Sequence, residues 1–301
     1  MALNVKINGK SYEAEKGEFI LAVCRRNLIR VPTFCHHDGL AGLGACRLCV
    51  VEVNEGSGNK MVVSCVYPLN RDCKVFTESE KIKGIRRTIL SMLKTRAPAG
   101  DRLASLCQIY GVGSDLVSAN KRFTAPKAAK SAGRAAGSNE KLLASSCILC
   151  GLCAQACASL GTGAISTVGR GVEKKISTPY GEQSADCIGC GSCAAVCPTK
   201  AIECTEARGT RSIWGRKFKF LRCASCGKAF ATEEEYAFAL KKAAIEKAAA
   251  EKETTEKAGA APAPSAGALM RRGSPPDKPL CDTCRRKKSA DVFAAAFGER
   301  T

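Results

Sequence analysis

Apolar and polar residues alternate in short runs along the first eighty residues, which predicts a small, mostly β domain. The runs LNVKI and KSYEA flank Asn8-Gly9, a dipeptide typical of a two-residue hairpin turn. Gly17 to Arg26 fits one short helix, and further β-rich runs stand at 48–53, 61–67 and 74–77. A hairpin, a helix and additional strands fit a β-grasp arrangement over residues 1–77.

The hydrophobic period changes to that of a helix from Glu78 onwards. Apolar residues fall on one face, at Ile82, Ile85, Ile89, Leu90 and Leu93. Basic residues fall on the opposite, polar face, at Lys83, Arg86, Arg87 and Lys94. A second short helix around Leu106 completes a predicted helical connector over 78–119. The small, basic, Pro/Gly-interrupted stretch 120–139 predicts a linker.

An internal repeat occupies residues 140–206. CILCGLCAQACA begins at residue 147 and CIGCGSCAAVCP at residue 187, and the two runs match at every Cys. An Ala-Ile pair follows each run, at 164–165 and at 201–202. Duplication of one small, ligand-bearing unit is the simplest account of this pattern.

The remaining segment, 207–301, is a basic tail. It contains RCASCGKAF at 222–230, then a Glu/Ala/Lys-rich helix at about 232–252, and later CDTCRRKK at 281–288. The Pro/Ala/Gly-rich stretch 256–279 between the two Cys pairs predicts disorder. Shared ligation of one metal would bring these distant pairs together.

Twenty cysteines among 301 residues are far more than an average globular chain carries. The N-terminal residues lack the apolar region of a secretory signal, and runs such as MVVSCVY are too short to span a membrane. We therefore expect a cytoplasmic protein without a transmembrane segment, whose clustered thiols are reduced and serve as metal or cluster ligands. The secreted disulfide, collagen-like and membrane-spanning classes are excluded.

The formal net charge of +19 is distributed unevenly, and cluster-bound thiolates would lower it. Residues 147–206 carry a net −1, whereas the tail 207–301 carries +9. Aromatic residues make up only 5%, so platforms for stacking nucleic-acid bases are scarce. We expect the tail to dock on an acidic partner and expect no nucleic-acid ligand.

The duplicated C-x2-C-x2-C-x3-C run is the strongest chemical signal, because its spacing suits two [4Fe-4S] clusters. In two-cluster ferredoxins the fourth Cys of each run ligates the other cluster. The first predicted ligand set is Cys147, Cys150, Cys153 and Cys197. The second is Cys187, Cys190, Cys193 and Cys157. The alternative, pairs of structural zinc ions, does not require eight Cys in two identical runs.

A C-x10-C-x2-C-x15-C pattern within the β domain predicts one [2Fe-2S] cluster, with the ligands Cys35, Cys46, Cys49 and Cys65. It matches the plant-type ferredoxin spacing in type only, because the first gap is longer. A zinc ion on the same four residues is the alternative. The adjacent His36 and His37 are expected to be structural, since four Cys already complete the site.

The tail pairs predict one zinc ion, held by Cys223, Cys226, Cys281 and Cys284, with rubredoxin-type iron as the alternative. Bound metal would also fix the position of the basic run 285–288. Four cysteines stay outside these sets and are interpreted as core thiols: Cys24, Cys73, Cys107 and Cys204.

The segments PTFCHHDGLAGLGACRLCVVEV and VVSCVYP resemble the N-terminal ferredoxin-like domain of the complex I large iron–sulfur subunit. Similar domains occur in the small diaphorase subunit of NAD-reducing hydrogenases and at the N-terminus of iron-only hydrogenases. The run CILCGLCAQAC and its repeat look like the paired four-iron module of those families. The resemblance covers about residues 1–206. It departs from the families at their His-plus-three-Cys cluster, since this chain has only Cys107 and no His there.

These features together predict an α+β chain: a β-grasp [2Fe-2S] domain, a 2[4Fe-4S] ferredoxin-like domain and a zinc-binding tail. We expect a non-catalytic relay subunit that carries single electrons between a flavoprotein subunit that oxidises NAD(P)H, or a ferredoxin-linked partner, and another redox subunit, which is catalytic. Such a subunit would stay in the cytoplasm or reach the cytoplasmic face of a membrane through its partners. A free-standing ferredoxin-type carrier and an iron–sulfur protein that binds nucleic acid are the alternatives.

Overall fold

The computed structural model describes residues 2–114, 143, 145–256 and 279–288. The chain divides into two compact units, one formed by residues 1–187 with 191–203 and the other by 188–190 with 204–301. The linker predicted at 120–139 lies outside the described residues, as does nearly all of the disordered stretch predicted at 256–279.

The first unit begins with a five-stranded mixed sheet in the order β2-β1-β5-β3-β4. Its strands are β1 (Ala2–Ile7), β2 (Lys10–Glu15), β3 (Val50–Asn54), β4 (Asn59–Val63) and β5 (Cys73–Phe76). β1 and β5 run parallel, and every other neighbouring pair is antiparallel. Helix α1 (Ile20–Arg26) buries its apolar face in the same core as the central strands.

The hairpin predicted at Asn8-Gly9 is confirmed, and β1 pairs with β2 directly across it. Asn8 and Gly9 have φ values of 50° and 88°, the left-handed conformation that this turn requires. The three other predicted strands are also present, each shifted by a few residues. Helix α1 starts three residues later than Gly17, because Phe19 forms a β-bridge with Pro68.

Two helices follow, α2 (Glu80–Arg96) and α3 (Asp101–Ile109), and Ser79 caps α2 by accepting a hydrogen bond from the backbone N–H of Ile82. The prediction that the basic residues of α2 lie on a polar face is wrong for one of them. Arg86 belongs to the polar face of the sequence pattern but is completely buried. Its guanidinium donates to the carbonyls of Leu48 and Val50, which provide the polar partners that solvent would otherwise supply.

The duplicated segment contributes two short helices, α4 (Leu152–Leu160) and α5 (Ser192–Ala195), and an antiparallel pair, β6 (Ser166–Val168) and β7 (Lys175–Ser177). Each helix begins after a glycine in the left-handed conformation, Gly151 at φ 82° and Gly191 at φ 77°. The Cys run of each repeat therefore turns sharply into its helix.

The second unit is built on a four-stranded antiparallel sheet in the order β11-β10-β9-β8. Its strands are β8 (Cys204–Ala207), β9 (Thr210–Ile213), β10 (Arg216–Arg222) and β11 (Ala229–Thr232). Helix α6 (Glu233–Glu256) follows and matches the helix predicted at about 232–252. A last helical segment covers 282–288. The hydrophobic pattern of the sequence does not predict this sheet. Within the described ranges no helix is both long and apolar enough to cross a membrane.

Candidate iron–sulfur and metal sites

The four cysteines predicted for the two-iron site are all buried and lie together in the first unit. The sulfurs of Cys35 and Cys46 are 3.3 Å apart. The Cys65 thiol is within hydrogen-bond distance of the sulfurs of both Cys35 and Cys49. The structure thus brings the predicted set together, although the set spans thirty-one residues of sequence.

The loop between α1 and β3 carries Cys35, Cys46 and Cys49, and Cys65 follows β4. The glycines of this loop let it close over the site. A Cβ atom on Gly42 would lie 2.7 Å from the carbonyl oxygen of Cys65, so only glycine fits there. Gly44 has φ +60°, and a Cβ on it would lie 3.3 Å from Val66. The loop therefore packs its own backbone directly against the strand end that carries Cys65.

Hydrogen bonds stabilise thiolates at this site. The backbone N–H of Cys46 donates to the Cys35 sulfur at 3.2 Å, and the N–H of Phe34 lies 3.4 Å from the Cys46 sulfur. The thiols of Cys46 and Cys65 lower the pKa of Cys35 to about 2, and Cys65 lowers the pKa of Cys49 to about 6. The two donor thiols have raised pKa values, because they give hydrogen bonds to thiolates and are buried. Four converging sulfurs with N–H donors fit an iron–sulfur cluster.

Arg86 supports this site, and sequence reasoning missed it. Its Nε lies 3.2 Å from the Leu48 carbonyl and one terminal nitrogen 3.0 Å from the Val50 carbonyl, so it holds the backbone on both sides of Cys49. The other terminal nitrogen donates to Glu78 at 2.8 Å. The amphipathic pattern gave no signal for this role, since a buried Arg and an exposed one look alike in sequence.

One cavity in the first unit is lined by Cys147, Cys150, Cys153 and Cys197 together. Its empty space, open mouth included, is about 300 Å³. Apolar side chains complete much of the lining, among them Ile148, Ile176 and Ile202. The last cysteine of the second run therefore lines the same cavity as the first three cysteines of the first run. Crossed ligation of the clusters stays a prediction.

Burial dominates the electrostatics of this cavity. It raises the pKa of Cys147, of Cys153 and of Cys150, the last to about 12, and the nearby Cys197 adds to each increase. Backbone N–H groups of Leu149 and Ala201 lie 3.4 Å and 3.2 Å from the sulfurs of Cys147 and Cys197. Thiolates in such an apolar cavity need a cation beside them, so the donor set fits an iron–sulfur cluster.

The members of the second predicted set are divided between the units. Cys157, Cys187 and Cys193 belong to the first unit, and Cys190 belongs to the second. The Cys157 sulfur lies 3.1 Å from the Thr162 hydroxyl. The ligation of the second set remains a prediction from the repeat.

The two-iron site and the first four-iron site share one buried core in the first unit. Cys35, Cys46 and Cys150 belong to the same cluster of buried side chains, together with Phe34, Leu48, Leu90, Ala97, Leu103, Cys107, Ile148 and Leu152. The Gln155 side chain donates to the carbonyl of Ala41 at 2.9 Å. The Leu43 side chain lies 3.1 Å from where a Cβ on Gly151 would stand. The loop of one site thus packs on the loop of the other.

The tail cysteines form a compact group in the second unit. The sulfurs of Cys223, Cys226, Cys281 and Cys284 all lie within 4.8 Å of one another. The Cys226 and Cys281 sulfurs are 3.8 Å apart. A tetrahedral ion with metal–sulfur bonds of about 2.3 Å separates its ligands by about 3.8 Å. N–H donors from the Cys281, Cys226 and Ser225 backbone lower the pKa of Cys223 to about 6, so this thiol is prepared for a metal.

The cysteines outside these sets differ in their surroundings. Cys24, Cys73 and Cys107 are buried, as predicted for core thiols. Cys204 is wrong as a core thiol, because it begins the first strand of the tail sheet and is only half-buried. His36 lies beside Cys35 with its Nδ1 buried, and burial lowers its pKa.

Two families match the chain. Residues 1–80 match the family described as 2Fe-2S iron–sulfur cluster binding domain, and residues 146–201 match the 4Fe-4S dicluster domain. The NADH-ubiquinone oxidoreductase 75 kDa subunit of Reclinomonas americana is 30% identical over 222 residues, or 70% of this chain and 31% of that protein. The NADP-reducing hydrogenase subunit HndD of Solidesulfovibrio fructosivorans is 31% identical over 215 residues, or 66% of this chain and 36% of that protein.

A solved structure of an NAD+-reducing [NiFe]-hydrogenase covers 61% of this chain and 79% of its own, at 24% identity and a TM-score of 0.49. The chain spans only about a third of the length of the curated relatives it matches. The chain therefore carries a 2Fe-2S domain followed by a 4Fe-4S dicluster domain, and over these it is homologous to subunits of NADH-quinone oxidoreductases and of an NADP-reducing hydrogenase.

Proposed function

We propose that the chain is a relay subunit of a multisubunit oxidoreductase and has no catalytic site of its own. It would pass single electrons between a flavoprotein subunit that oxidises NAD(P)H, or a ferredoxin-linked subunit, and a further, catalytic redox subunit. The names of its relatives support this, because they are subunits of NADH- and NADP-linked oxidoreductases.

One observation carries the proposal: the ligands of two separate predicted sites lie in one buried core. Cys35 and Cys46 pack in the same cluster of side chains as Cys150. Burial is the main cause of the raised pKa of Cys150, and the charge on Cys35 adds to it. A protein that hands electrons from one centre to another must hold the centres close together, and clusters on these ligands would share one buried core.

The proposed ligand sets follow the sequence pattern. Cys35, Cys46, Cys49 and Cys65 would hold one [2Fe-2S] cluster. Cys147, Cys150, Cys153 and Cys197 would hold the first [4Fe-4S] cluster, a set supported by their common cavity. Cys187, Cys190, Cys193 and Cys157 would hold the second, a set supported by the repeat and by the dicluster family match.

When bound, iron–sulfur clusters take up and release single electrons, and the surrounding residues tune their potentials. The chain supplies N–H donors to the sulfurs of Cys35, Cys46, Cys147 and Cys197. Such donors favour the more negative, reduced state and so raise the potential, while burial opposes added charge and lowers it. The lining of the cavity around Cys150 is largely apolar.

We further propose one zinc ion at Cys223, Cys226, Cys281 and Cys284, with rubredoxin-type iron as the alternative. Zinc has no accessible redox change, so this site would be structural. Placement of the chain in the cytoplasm, or at the cytoplasmic face of a membrane through its partners, is supported by the sixteen proposed ligand cysteines, which must stay reduced to bind metal.

Metal analysis and electron paramagnetic resonance (EPR) of anaerobically purified protein test the proposal. We expect about ten irons and one zinc per chain, with a two-iron signal that is separable from interacting four-iron signals after reduction. About eight irons without the two-iron signal would remove Cys35 and its partners from the relay. An eleventh iron per chain, mononuclear and in place of zinc, would make the tail a further redox centre.

A further inference from the structure

The segment Ile188–Cys190, in the middle of the second Cys run, belongs to the same compact unit as the tail sheet. Three residues of that sheet contact it. The Thr232 hydroxyl donates to the carbonyl of Ile188 at 2.6 Å, and the Arg211 guanidinium donates to the carbonyl of Gly189 at 2.8 Å. The Phe218 ring covers Gly189 so closely that a Cβ there would lie 2.4 Å from it.

The contacting groups are themselves held in place. Arg211 pairs with Glu206 at 2.7 Å and stacks over the ring of Phe220. Thr232 is fully buried, and its hydroxyl also accepts the backbone N–H of Glu235, which caps the start of helix α6. Two fixed donors on consecutive carbonyls and an aromatic ring on the glycine leave the loop little freedom next to Cys190.

The tail metal site closes the hairpin that supplies two of these contacts. Phe218 lies on β10 and Thr232 on β11, and Phe220 pairs with Thr232 across the two strands. The turn that joins β10 to β11 is the Cys223–Cys226 loop, in which the Cys223 N–H donates to Lys228 at 2.9 Å. A metal bound there would therefore fix the hairpin that presses on the Cys190 loop.

We propose that the tail hairpin and its metal form a clamp that positions Cys190, so that the tail metal stabilises the second four-iron cluster. The tail is then a structural support of the relay. This inference rests on the proposed function, because it takes Cys190 as a cluster ligand. Thr232 and Arg211 act through the backbone of Ile188 and Gly189, so both are positioning residues.

The test follows iron content and EPR signals in the full chain. A Cys187→Ser variant first identifies the signal of the second cluster. Thr232→Asp keeps an acceptor for the Glu235 cap but loses the hydroxyl donor, whereas Thr232→Ser keeps both. Arg211→Gln removes the second donor, and Lys217→Gln is its matched control, since Lys217 is exposed on the same sheet. Cys226→Ser removes a tail ligand.

We expect Thr232→Asp, Arg211→Gln and Cys226→Ser each to lose iron from the second cluster to a chelator about tenfold faster than wild type, because each removes a hydrogen bond or ligand worth about a factor of ten. The first four-iron signal and the two-iron signal should stay unchanged, as should all signals of Thr232→Ser and Lys217→Gln. Selectivity for one cluster separates positioning from general unfolding.

An unchanged second cluster in Arg211→Gln and Thr232→Asp would overturn the clamp. Loss in these two variants together with full retention in Cys226→Ser would overturn the role of the metal. Wild-type protein without any second four-iron signal would overturn the proposed function, and the clamp with it.

Discussion

The two cysteine loops of the duplicated module have the same backbone but different neighbours. Leu149 and Gly189 stand at the same position of the repeat and share the left-handed conformation, with φ of 55° and 67°. The first loop packs on the two-iron domain, where Leu43 approaches Gly151. The second loop lies under Phe218 of the tail sheet, and there only glycine fits.

This difference separates what the Cys motif determines, the backbone turn, from what neighbouring elements determine, the side chains that fit on the loop. Both copies combine the same Cys spacing with the same turn, in which Gly151 and Gly191 are also left-handed. The second of the two residues between the first two Cys differs between the copies, Leu149 in one and Gly189 in the other. At Gly189 the packing of Phe218 determines the choice. One loop is consequently packed on the two-iron domain, and the other on the tail sheet.

Substitution of the fourth Cys of each run should have the largest effect on the two loops. Cys197→Ser should abolish the cluster of the first loop, about four irons, because Cys197 lines the cavity of Cys147 to Cys153. Cys157→Ser should abolish the cluster of the second loop instead. Iron analysis with EPR shows which cluster each variant loses. If each variant lost the cluster of the run that contains its own substituted Cys, crossed ligation would be refuted.

Removal of the buried cation should weaken the core under the first loop. Arg86→Met leaves the carbonyls of Leu48 and Val50 without their donor, and we expect it to lower the free energy of unfolding by about 4 kcal/mol. Arg87→Met is the matched control on the exposed side of α2, with an expected cost of about 0.5 kcal/mol. Thermal unfolding of both variants checks this, and equal losses would contradict the bracing role of Arg86.

Substitutions at the equivalent positions 149 and 189 test the different packing of the two loops directly. Gly189→Ala brings a Cβ into the Phe218 ring at a left-handed φ, so we expect a loss of about 3 kcal/mol. Leu149→Gly relieves left-handed strain at its own site and should change stability by less than about 1 kcal/mol. Urea unfolding measures both. If Gly189→Ala were neutral, the packing of Phe218 on this loop would be wrong.

The smallest effect concerns a buried thiol outside both loops. Burial raises the pKa of Cys24 to about 11, so this thiol stays protonated in the fold when an unfolded thiol has already ionised. Its contribution to stability is therefore complete below about pH 9 and is lost as pH rises towards 11. We expect wild type to lose about 2 kcal/mol more than Cys24→Ala over this range. We also expect slow alkylation of Cys24 at pH 8. Rapid alkylation would show that the core opens.

The sequence predicts much of this picture because spacing and period are local. Asn8-Gly9 predicts its hairpin, and the duplicated Cys runs predict the cavity that Cys197 completes. Burial of Arg86 was not predictable, since its partners are carbonyls from a distant strand. The tail sheet was missed for a related reason. Its strands are short and rich in exposed charge. Its buried aromatic residue, Phe218, packs on Gly189, which lies in a different sequence motif.

The spin relaxation of the two-iron centre tests the relay most directly, because it reports whether a second paramagnet lies nearby. The two-iron signal should relax faster once the first four-iron cluster is also reduced, since Cys35 and Cys150 share one core. The acceleration should disappear in Cys197→Ser and persist in Cys187→Ser. A two-iron signal whose relaxation ignores the redox state of the first four-iron cluster would contradict the proposal that electrons pass between these two sites.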